Sequence, residues 1–364
     1  ANLEIKGAIV AESASITAAG TVTMNNGTAS ITTDTANQAL AVSGDTGVEL
    51  GTLSSLGTVT VNSSAGSILD KRLDTTTNIL TTGDVVLSAR SIGSGGVGAL
   101  DIDAAKIASV TATSANAGAA YLRLTATDGG VELDDASVTG VLSVIAPDAD
   151  LTVSGAVSAR SLVFNTTPAV SGNLFDITQT AGSTISVIDS ASVTSSGNIA
   201  LESFSGSSGA MTVRADGVIT GNVGVTGAHL TSGTGNLTLE ADRIGSTTTA
   251  LNLDARNIAS LLARETVTTV DAIVIASSGL TSLSALDTRA GAVFNQTGSL
   301  TLAGSVLADR LALSVDASSS TSTDGSLIQN VGSRVLIDDD LGNSTEALGR
   351  LEVAKGIERL WVYR

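Results

Sequence analysis

The chain has 364 residues, and its 35 acidic side chains outnumber 18 basic ones for a formal net charge of −17. Such a surface repels nucleic-acid phosphates and anionic lipids, and no apolar run is long enough to cross a bilayer, so we predict neither nucleic-acid binding nor membrane insertion. Cysteine is absent, which excludes disulfides and thiolate chemistry, and we expect no signal peptide because the first residues already look like a strand.

The composition predicts a thin, elongated core. Apolar residues make up 42% of the chain, but aromatic residues make up only 2%. A globule of this size normally fills its centre with large aromatic side chains. This interior must be filled with Val, Ile, Leu and Ala, which suit a core of nearly constant width.

Short runs of alternating apolar and small polar residues follow one another from the first residues to the last. In chain order they include "TVTM", "TVTVN", "YLRLTA", "MTVRA" and "LTLAG", with Gly, Asn, Ser and Asp between them. A period of two in Val- and Thr-rich runs predicts β-strands, and the intervening residues predict turns. The best helix candidate is Ile258–Val267, but "IASVTATSAN" stands at the same place in another copy of the pattern, which favours a strand.

Strand signals recur too closely for separate sandwich domains and fit coils of about 20 residues, each with short strands and turns. Stacked coils pair their strands in parallel. The sequence therefore predicts an all-β fold, a parallel β-helix (β-solenoid).

A longer repeat lies over the coil repeat. "LEIKG", "LTVSG" and "LTLAG" begin at Leu3, Leu151 and Leu300, which are 148 and 149 residues apart. A second pair of matching stretches begins at Gly83 and Gly235, 152 residues apart. We call this period of about 150 residues the super-repeat.

The super-repeat predicts one continuous solenoid, which contains one full super-repeat and parts of two others. Its last stretch, "LEVAKGIERLWVYR", has no counterpart in the other copies. The predicted divisions are the end of one super-repeat at 1–82, a full one at 83–234, and a partial one at 235–364 with an atypical stretch at 349–364.

The stretches "SIGSGGVGALDIDAAKIAS", "RIGSTTTALNLDARNIAS" and "GSLTLAGSVLADRLAL" resemble the repeats of filamentous-haemagglutinin-like proteins and giant repetitive bacterial adhesins. The similarity runs from Leu3 to about Val315. It implies a single-stranded, right-handed parallel β-helix that is secreted and displayed at the cell surface. The chain departs from exported members of that group because neither Pro147 nor Pro168 follows an Asn, so the Asn-Pro motifs of their secretion domain are missing.

Reactive side chains are sparse, and we predict no catalytic, metal-binding or cofactor-binding residue and no enzyme activity. His229 is the only histidine, and its surroundings predict a turn or a solvent-facing position. Three acidic pairs have the spacing of a glycosidase or lyase site but no basic neighbour in sequence: Asp101 with Asp103, Asp134 with Asp135, and Asp148 with Asp150.

Calcium is the alternative ligand that the clustered carboxylates suggest. The segments that begin at Asp148 and Asp338 offer several oxygens, although the Gly- and Asp-rich repeats of calcium-binding β-rolls are absent. These segments are more simply interpreted as solvated turns.

We therefore predict a structural segment of a secreted surface protein, either an adhesin stalk or an extracellular filament. Its partners would be further coils, joined end to end or as neighbouring repeats, and a host or cell-surface glycan or protein receptor. The alternative is a β-helix carbohydrate-binding or carbohydrate-active module, which needs aromatic stacking platforms. The aromatic residues of the coils are scattered along the chain, at Tyr121, Phe164, Phe175, Phe204 and Phe294. Of these, Phe164, Phe175 and Phe294 are predicted to lie in the core.

The ends of a solenoid expose strand edges unless they are capped or continued. Leu3 lies in a first coil that looks like ordinary coil sequence. Trp361 and Tyr363 concentrate aromatic surface near the other end of the chain. These three residues are the candidates for an end-to-end junction, and the alternative for the two aromatic residues is that they plug the last coil.

Overall fold

We describe the chain from a computed structural model. The described residues are 1–25, 29–115, 118–126, 129–168, 170, 172–225, 227–267, 270–279, 281–316, 327–330, 333–337 and 351–354. Their contacts divide the chain into two units, Ala1–Val187 (unit 1) and Ile188–Arg364 (unit 2), which we describe in turn.

Unit 1 consists of short strands joined by turns. Its only described helical element is one 3-10 turn, Gly96–Gly98. The strands are β1 (Leu3–Ile5), β2 (Ala8–Ala11), β3 (Ala14–Ala18), β4 (Thr21–Met24), β5 (Ser30–Thr33), β6 (Leu40–Gly44), β7 (Gly47–Leu50), β8 (Thr52–Ser55), β9 (Val59–Asn62), β10 (Ser67–Asp70), β11 (Ile79–Ala89), β12 (Ser91–Ile92), β13 (Leu100–Ala112), β14 (Ala120–Thr125), β15 (Gly130–Ile145), β16 (Asp150–Val153), β17 (Ala156–Asn165), β18 (Ile177–Gln179) and β19 (Thr184–Val187).

Unit 2 is also built of strands. They are β20 (Ala191–Ser195), β21 (Ile199–Leu201), β22 (Phe204–Gly206), β23 (Met211–Ala215), β24 (Val218–Gly221), β25 (Leu230–Ala241), β26 (Arg243–Ile244), β27 (Leu251–Ala263), β28 (Asp271–Ser278), β29 (Thr281–Thr288), β30 (Gly291–Thr297), β31 (Leu300–Ala308), β32 (Arg310–Asp316), β33 (Leu327–Gln329), β34 (Arg334–Ile337) and β35 (Leu351–Ala354). The candidate helix at Ile258–Val267 is a strand as far as Ala263, as the repeat pattern favoured.

Each strand pairs in parallel with a strand one coil later. In unit 1, Ile9 of β2 lies opposite Ile31 of β5, and Ile31 lies opposite Leu53 of β8. In unit 2, Met211 of β23 lies opposite Leu237 of β25. The predicted all-β parallel solenoid is therefore confirmed, with about 14 turns of about 22 residues rather than about 20. The right-handedness implied by the resemblance stays a prediction.

Several strands run through a corner and take up extra residues there. The pairing of β15 with β17 shifts register between Val138 and Val141, and that of β25 with β27 shifts between Ser232 and Asn236. Such bulges bend a strand without ending its ladder.

The core is a set of apolar ladders, one residue per coil. The alternation of each strand turns every second side chain inward, and parallel pairing places it over the matching side chain of the next coil. One ladder of unit 1, all of whose members are buried, consists of Val42, Val61, Leu87, Val110, Ala136, Val157 and Ile185. An equally buried ladder of unit 2 consists of Val193, Val213, Leu239, Leu261, Leu286, Val306 and Val335.

Three of the four phenylalanines are fully buried in these coils. Phe164 lies opposite Val144, Phe204 opposite Leu230, and Phe294 lies in β30. Phe175 differs from the prediction, because it lies outside the strands and is only partly buried.

Candidate functional site

The first coil exposes residues that would be core residues in any later coil. Leu3 is 38% exposed, whereas Val22, its partner in the next coil, is fully buried. Leu3, Ile9 and Ile16 line an open cavity of about 420 Å³. Trp361 and Tyr363, the other two candidates for a junction, lie outside the described residues.

Two of the three acidic pairs have basic partners that the sequence does not indicate. Arg123 lies beside Asp101, with 3.7 Å between its Nε and the carboxylate Oδ1. Lys106 contacts Asp134 at 2.9 Å. Asp135 instead accepts a hydrogen bond from the backbone N–H of Ala156 at 2.9 Å.

The third pair, Asp148 with Asp150, lies on the surface. Asp150 accepts a hydrogen bond from the N–H of Asp176 at 2.8 Å. Among the described residues, no group of three Asp, Glu, His or Cys side chains could hold a metal ion, and the acidic segment at Asp338 lies outside them. No described helix is long and apolar enough to cross a membrane.

The densest polar cluster of unit 1 surrounds the buried side chain of Asn78. Its Nδ2 donates to Asp70 Oδ1 at 2.7 Å and to the carbonyl of Gly51 at 3.2 Å. Its Oδ1 accepts from the N–H of Asp101 at 2.9 Å, and the Asn78 N–H donates to the Asp101 carbonyl at 2.8 Å. One side chain thus links three successive coils, which satisfies polar groups that burial would otherwise penalise.

A second side chain closes the loop between Asp70 and Asn78. The Arg72 guanidinium donates to Thr52 Oγ1 at 3.0 Å and to the carbonyls of Thr76 and Thr77 at 2.6 and 2.8 Å. The Asp70 carboxylate accepts from the Arg72 N–H at 2.9 Å. The loop is therefore bound to the wall of the solenoid by charge-assisted hydrogen bonds.

Asp101 is the most perturbed acid of this cluster. Its side chain is 8% exposed. The pKa of its carboxyl is raised to about 6, mainly by desolvation. The positive charge of Arg123 opposes this rise, and the negative charge of Asp70 adds to it. A carboxyl with this pKa can exchange a proton near neutral pH. Its burial, however, leaves little surface for a substrate.

His229 occupies the corresponding position in unit 2. It stands in a bend just before β25, which agrees with the predicted turn, but it is buried and not solvent-facing. It is 2% exposed. The ring Nδ1 accepts a hydrogen bond from the backbone N–H of Asn252 at 2.9 Å, and the backbone N–H of His229 donates to the Asn252 carbonyl at 2.9 Å. Its Nε2 lies 3.1 Å from the carbonyl of Asn222, so the ring carries its proton on Nε2. The ring packs over Gly221, where a Cβ would collide with it.

The two clusters are related by the super-repeat. Asn78 and His229 are 151 residues apart, as are Asp101 and Asn252. In each case the side chain accepts a hydrogen bond from the backbone N–H of the residue one coil later, and the backbone N–H donates to the carbonyl of that same residue. The spacing is present in the sequence, but a comparison by residue type does not detect it, because the two side chains differ.

Ion pairs join successive coils on the surface of unit 2. Arg264 contacts Glu240 at 3.0 Å, Asp242 at 3.3 Å and Asp216 at 3.5 Å. The three acids lie one and two coils before the arginine. A network of this kind holds coils together more firmly than an isolated surface pair would.

No known protein family matches the chain, and no curated protein or solved structure shows significant similarity to it.

We expect Asp101→Asn to stabilise the protein at pH 8 by about 1–3 kcal/mol. The raised pKa means that the folded state holds the proton more tightly than the unfolded chain. The stabilising contribution of the protonated carboxyl is complete below pH 4 and is lost as the pH rises through about 6. The asparagine mimics the protonated form at every pH. Urea unfolding at pH 4 and pH 8 measures both ends of this range.

Asp254→Asn is the matched control, because Asp254 is an exposed acid in the equivalent strand of unit 2. It should change stability little at either pH. Equal stability of wild type and Asp101→Asn at pH 8 would show that the buried carboxylate is not penalised.

Proposed function

We propose that the chain is a structural segment of an extended, secreted surface protein, as part of a stalk or an extracellular filament. The observation that supports this most is the stacking of apolar ladders in parallel register within each unit. The perturbed polar groups described above link coils to one another, which suits a structural role better than a catalytic one.

Coil stacking suits this role mechanically. Backbone hydrogen bonds between coils resist their separation, and the apolar ladders must be exposed to water whenever a coil peels away. Surface networks such as that of Arg264 add links across coils. Force along the stack is therefore borne by many parallel interactions in every coil.

The first coil supplies the surface for the proposed joining to a further coil. Leu3, Ile9 and Ile16 stand at ladder positions whose partners in the next coil, Val22, Ile31 and Val42, are buried. A further coil that stacked on β1, β2 and β3 would bury them in the same way. Such a coil would come from a second copy or from neighbouring repeats.

Stretching single molecules tests the structural role. Peeling off one coil of about 22 residues should lengthen the chain by about 75 Å, so the force trace should show a series of such steps. Leu239→Ala removes a ladder side chain and should lower the force of the steps near it, whereas Thr238→Ala on the outward side should not. Extension without resolvable force peaks would contradict a load-bearing role.

Light scattering over a range of protein concentrations tests end-to-end joining. We expect the apparent mass to rise with concentration for the wild type. Ile9→Lys should abolish the rise, because a charge on the exposed ladder cannot be buried against another coil. Leu73→Lys, which alters an exposed leucine of the loop after β10, is the control for surface charge. A mass that stays constant for the wild type excludes joining between copies.

Antibody labelling of intact producing cells tests the location. Labelling without permeabilisation is expected for a surface protein. A signal that appears only after permeabilisation would place the protein inside the cell and overturn the proposal.

A further inference from the structure

Unit 2 carries an open groove of about 530 Å³ along one of its corners. It crosses successive coils, from β25 to β33. Most of the lining residues have polar side chains, among them Thr234, Arg256, Asn257, Ser282 and Thr301, but Ile328 also lines the groove and much of the lining surface is apolar carbon.

The backbone forms this groove. The pairing of β25 with β27 shifts register after Ser232, and that of β29 with β31 shifts after Leu283. Extra residues at these bulges bend the strands at the corner. Gly233 and Gly304 lie so close to neighbouring carbonyls that a Cβ on either would collide with them, so this corner is tightly packed. The shape of this corner is therefore set by backbone contacts between coils.

The lining suits a hydroxylated ligand. Hydroxyl and amide groups can donate and accept hydrogen bonds, and threonine methyls offer apolar contact to C–H groups. The volume lies within the range of ordinary small-molecule sites, roughly 300–1,000 Å³. Adjacent coils are about 4.8 Å apart, close to the length of one sugar ring. Successive coils can therefore present hydroxyl and amide groups to successive sugar rings.

Arg256 gives the groove a charge preference. It is exposed and makes no ion pair with any described residue. Arg214, Arg243, Arg264 and Arg310 of the same unit each contact a carboxylate. With no acidic partner among the residues that the structure describes, the Arg256 guanidinium can pair with a carboxylate that arrives with a ligand.

The equivalent corner of unit 1 lacks this chemistry. Its groove has only about 130 Å³ and is lined by Thr82, Asp103 and Ala105, among others. Ala105 stands 151 residues before Arg256, at the same place in the super-repeat. The corner is thus kept by the repeat, whereas the cation and the larger volume belong to unit 2.

We propose that the groove of unit 2 binds a short oligosaccharide that carries a single carboxylate. Arg256 pairs with the carboxylate, and Thr234, Asn257 and Thr301 bond to the ring hydroxyls. A polyanionic glycan fits less well, because the excess acidic charge of the protein repels every further carboxylate. This role is additional to the structural one and does not depend on it.

Calorimetric titration with a trisaccharide that ends in one uronic acid tests the proposal. The same trisaccharide with the carboxylate reduced to an alcohol is the matched ligand. Arg256→Ala installs the residue of the unit 1 corner and should weaken uronate binding at least about tenfold. Arg289→Ala removes an exposed arginine outside the groove lining and should leave binding unchanged.

Several results would overturn the proposal. They are no binding at millimolar ligand, equal affinity for the uronate and its reduced form, or equal loss in both arginine variants, which would indicate general charge attraction. Stronger binding of an acidic peptide than of the uronate would assign the groove to another ligand class. Should Arg256→Ala fail to fold, Arg256→Gln and the comparison of the two trisaccharides still decide the matter.

Discussion

In-register parallel stacking of coils is the constraint on which the rest of the structure depends. Once the backbone of one coil pairs with the next, each inward side chain must pack on the residue about one coil away, as Val61 packs between Val42 and Leu87. Aliphatic residues stack directly in such a ladder, whereas an aromatic ring must find its space against smaller neighbours, as Phe164 does opposite Val144. This explains why the chain fills its interior with Val, Leu, Ile and Ala and uses so few aromatic residues.

Corners create the opposite demand, because polar backbone groups there are buried without a regular ladder to satisfy them. The two super-repeats meet this demand with different side chains at one position. Asn78 uses both ends of its amide, and His229 uses both ring nitrogens. In both, an acceptor atom meets the N–H of the residue in the next coil, at Asp101 or Asn252. The geometry of the acceptor is kept while the residue type changes, which a comparison by residue similarity does not detect.

Much of the fold could be predicted from sequence because the strand signal is local. Alternation within "TVTVN" or "LTLAG" needs only neighbouring residues, and turn residues mark where each run ends. Repetition then made parallel stacking the simplest arrangement. The positions of bulges could not be predicted, because a bulge such as that between Val138 and Val141 adds residues without interrupting the strand pattern.

The site was harder to predict because burial at a corner depends on contacts between coils. His229 stands in a Gly-rich stretch that looks like an exposed turn, and only its position over Gly221 and beside Asn252 makes it a buried residue. Asp101 alternates with apolar residues as an outward-facing side chain should, yet it is buried, with Arg123 and Asp70 as charged neighbours. Phe175 shows the reverse error, since an apolar residue outside a strand need not reach the core.

These opposing demands determine at which positions the super-repeats can differ in sequence. Ladder positions are mostly apolar, and buried polar ones such as Thr33 and Ser55 hydrogen-bond to each other, so ladder side chains are closed to a ligand. At corners and on outward faces the same backbone accepts Asn or His, Asp or Asn, Ala105 or Arg256. Any chemistry that distinguishes one super-repeat from another must therefore lie at those positions. A long array can then carry distinct binding surfaces along its length while every coil keeps the same core.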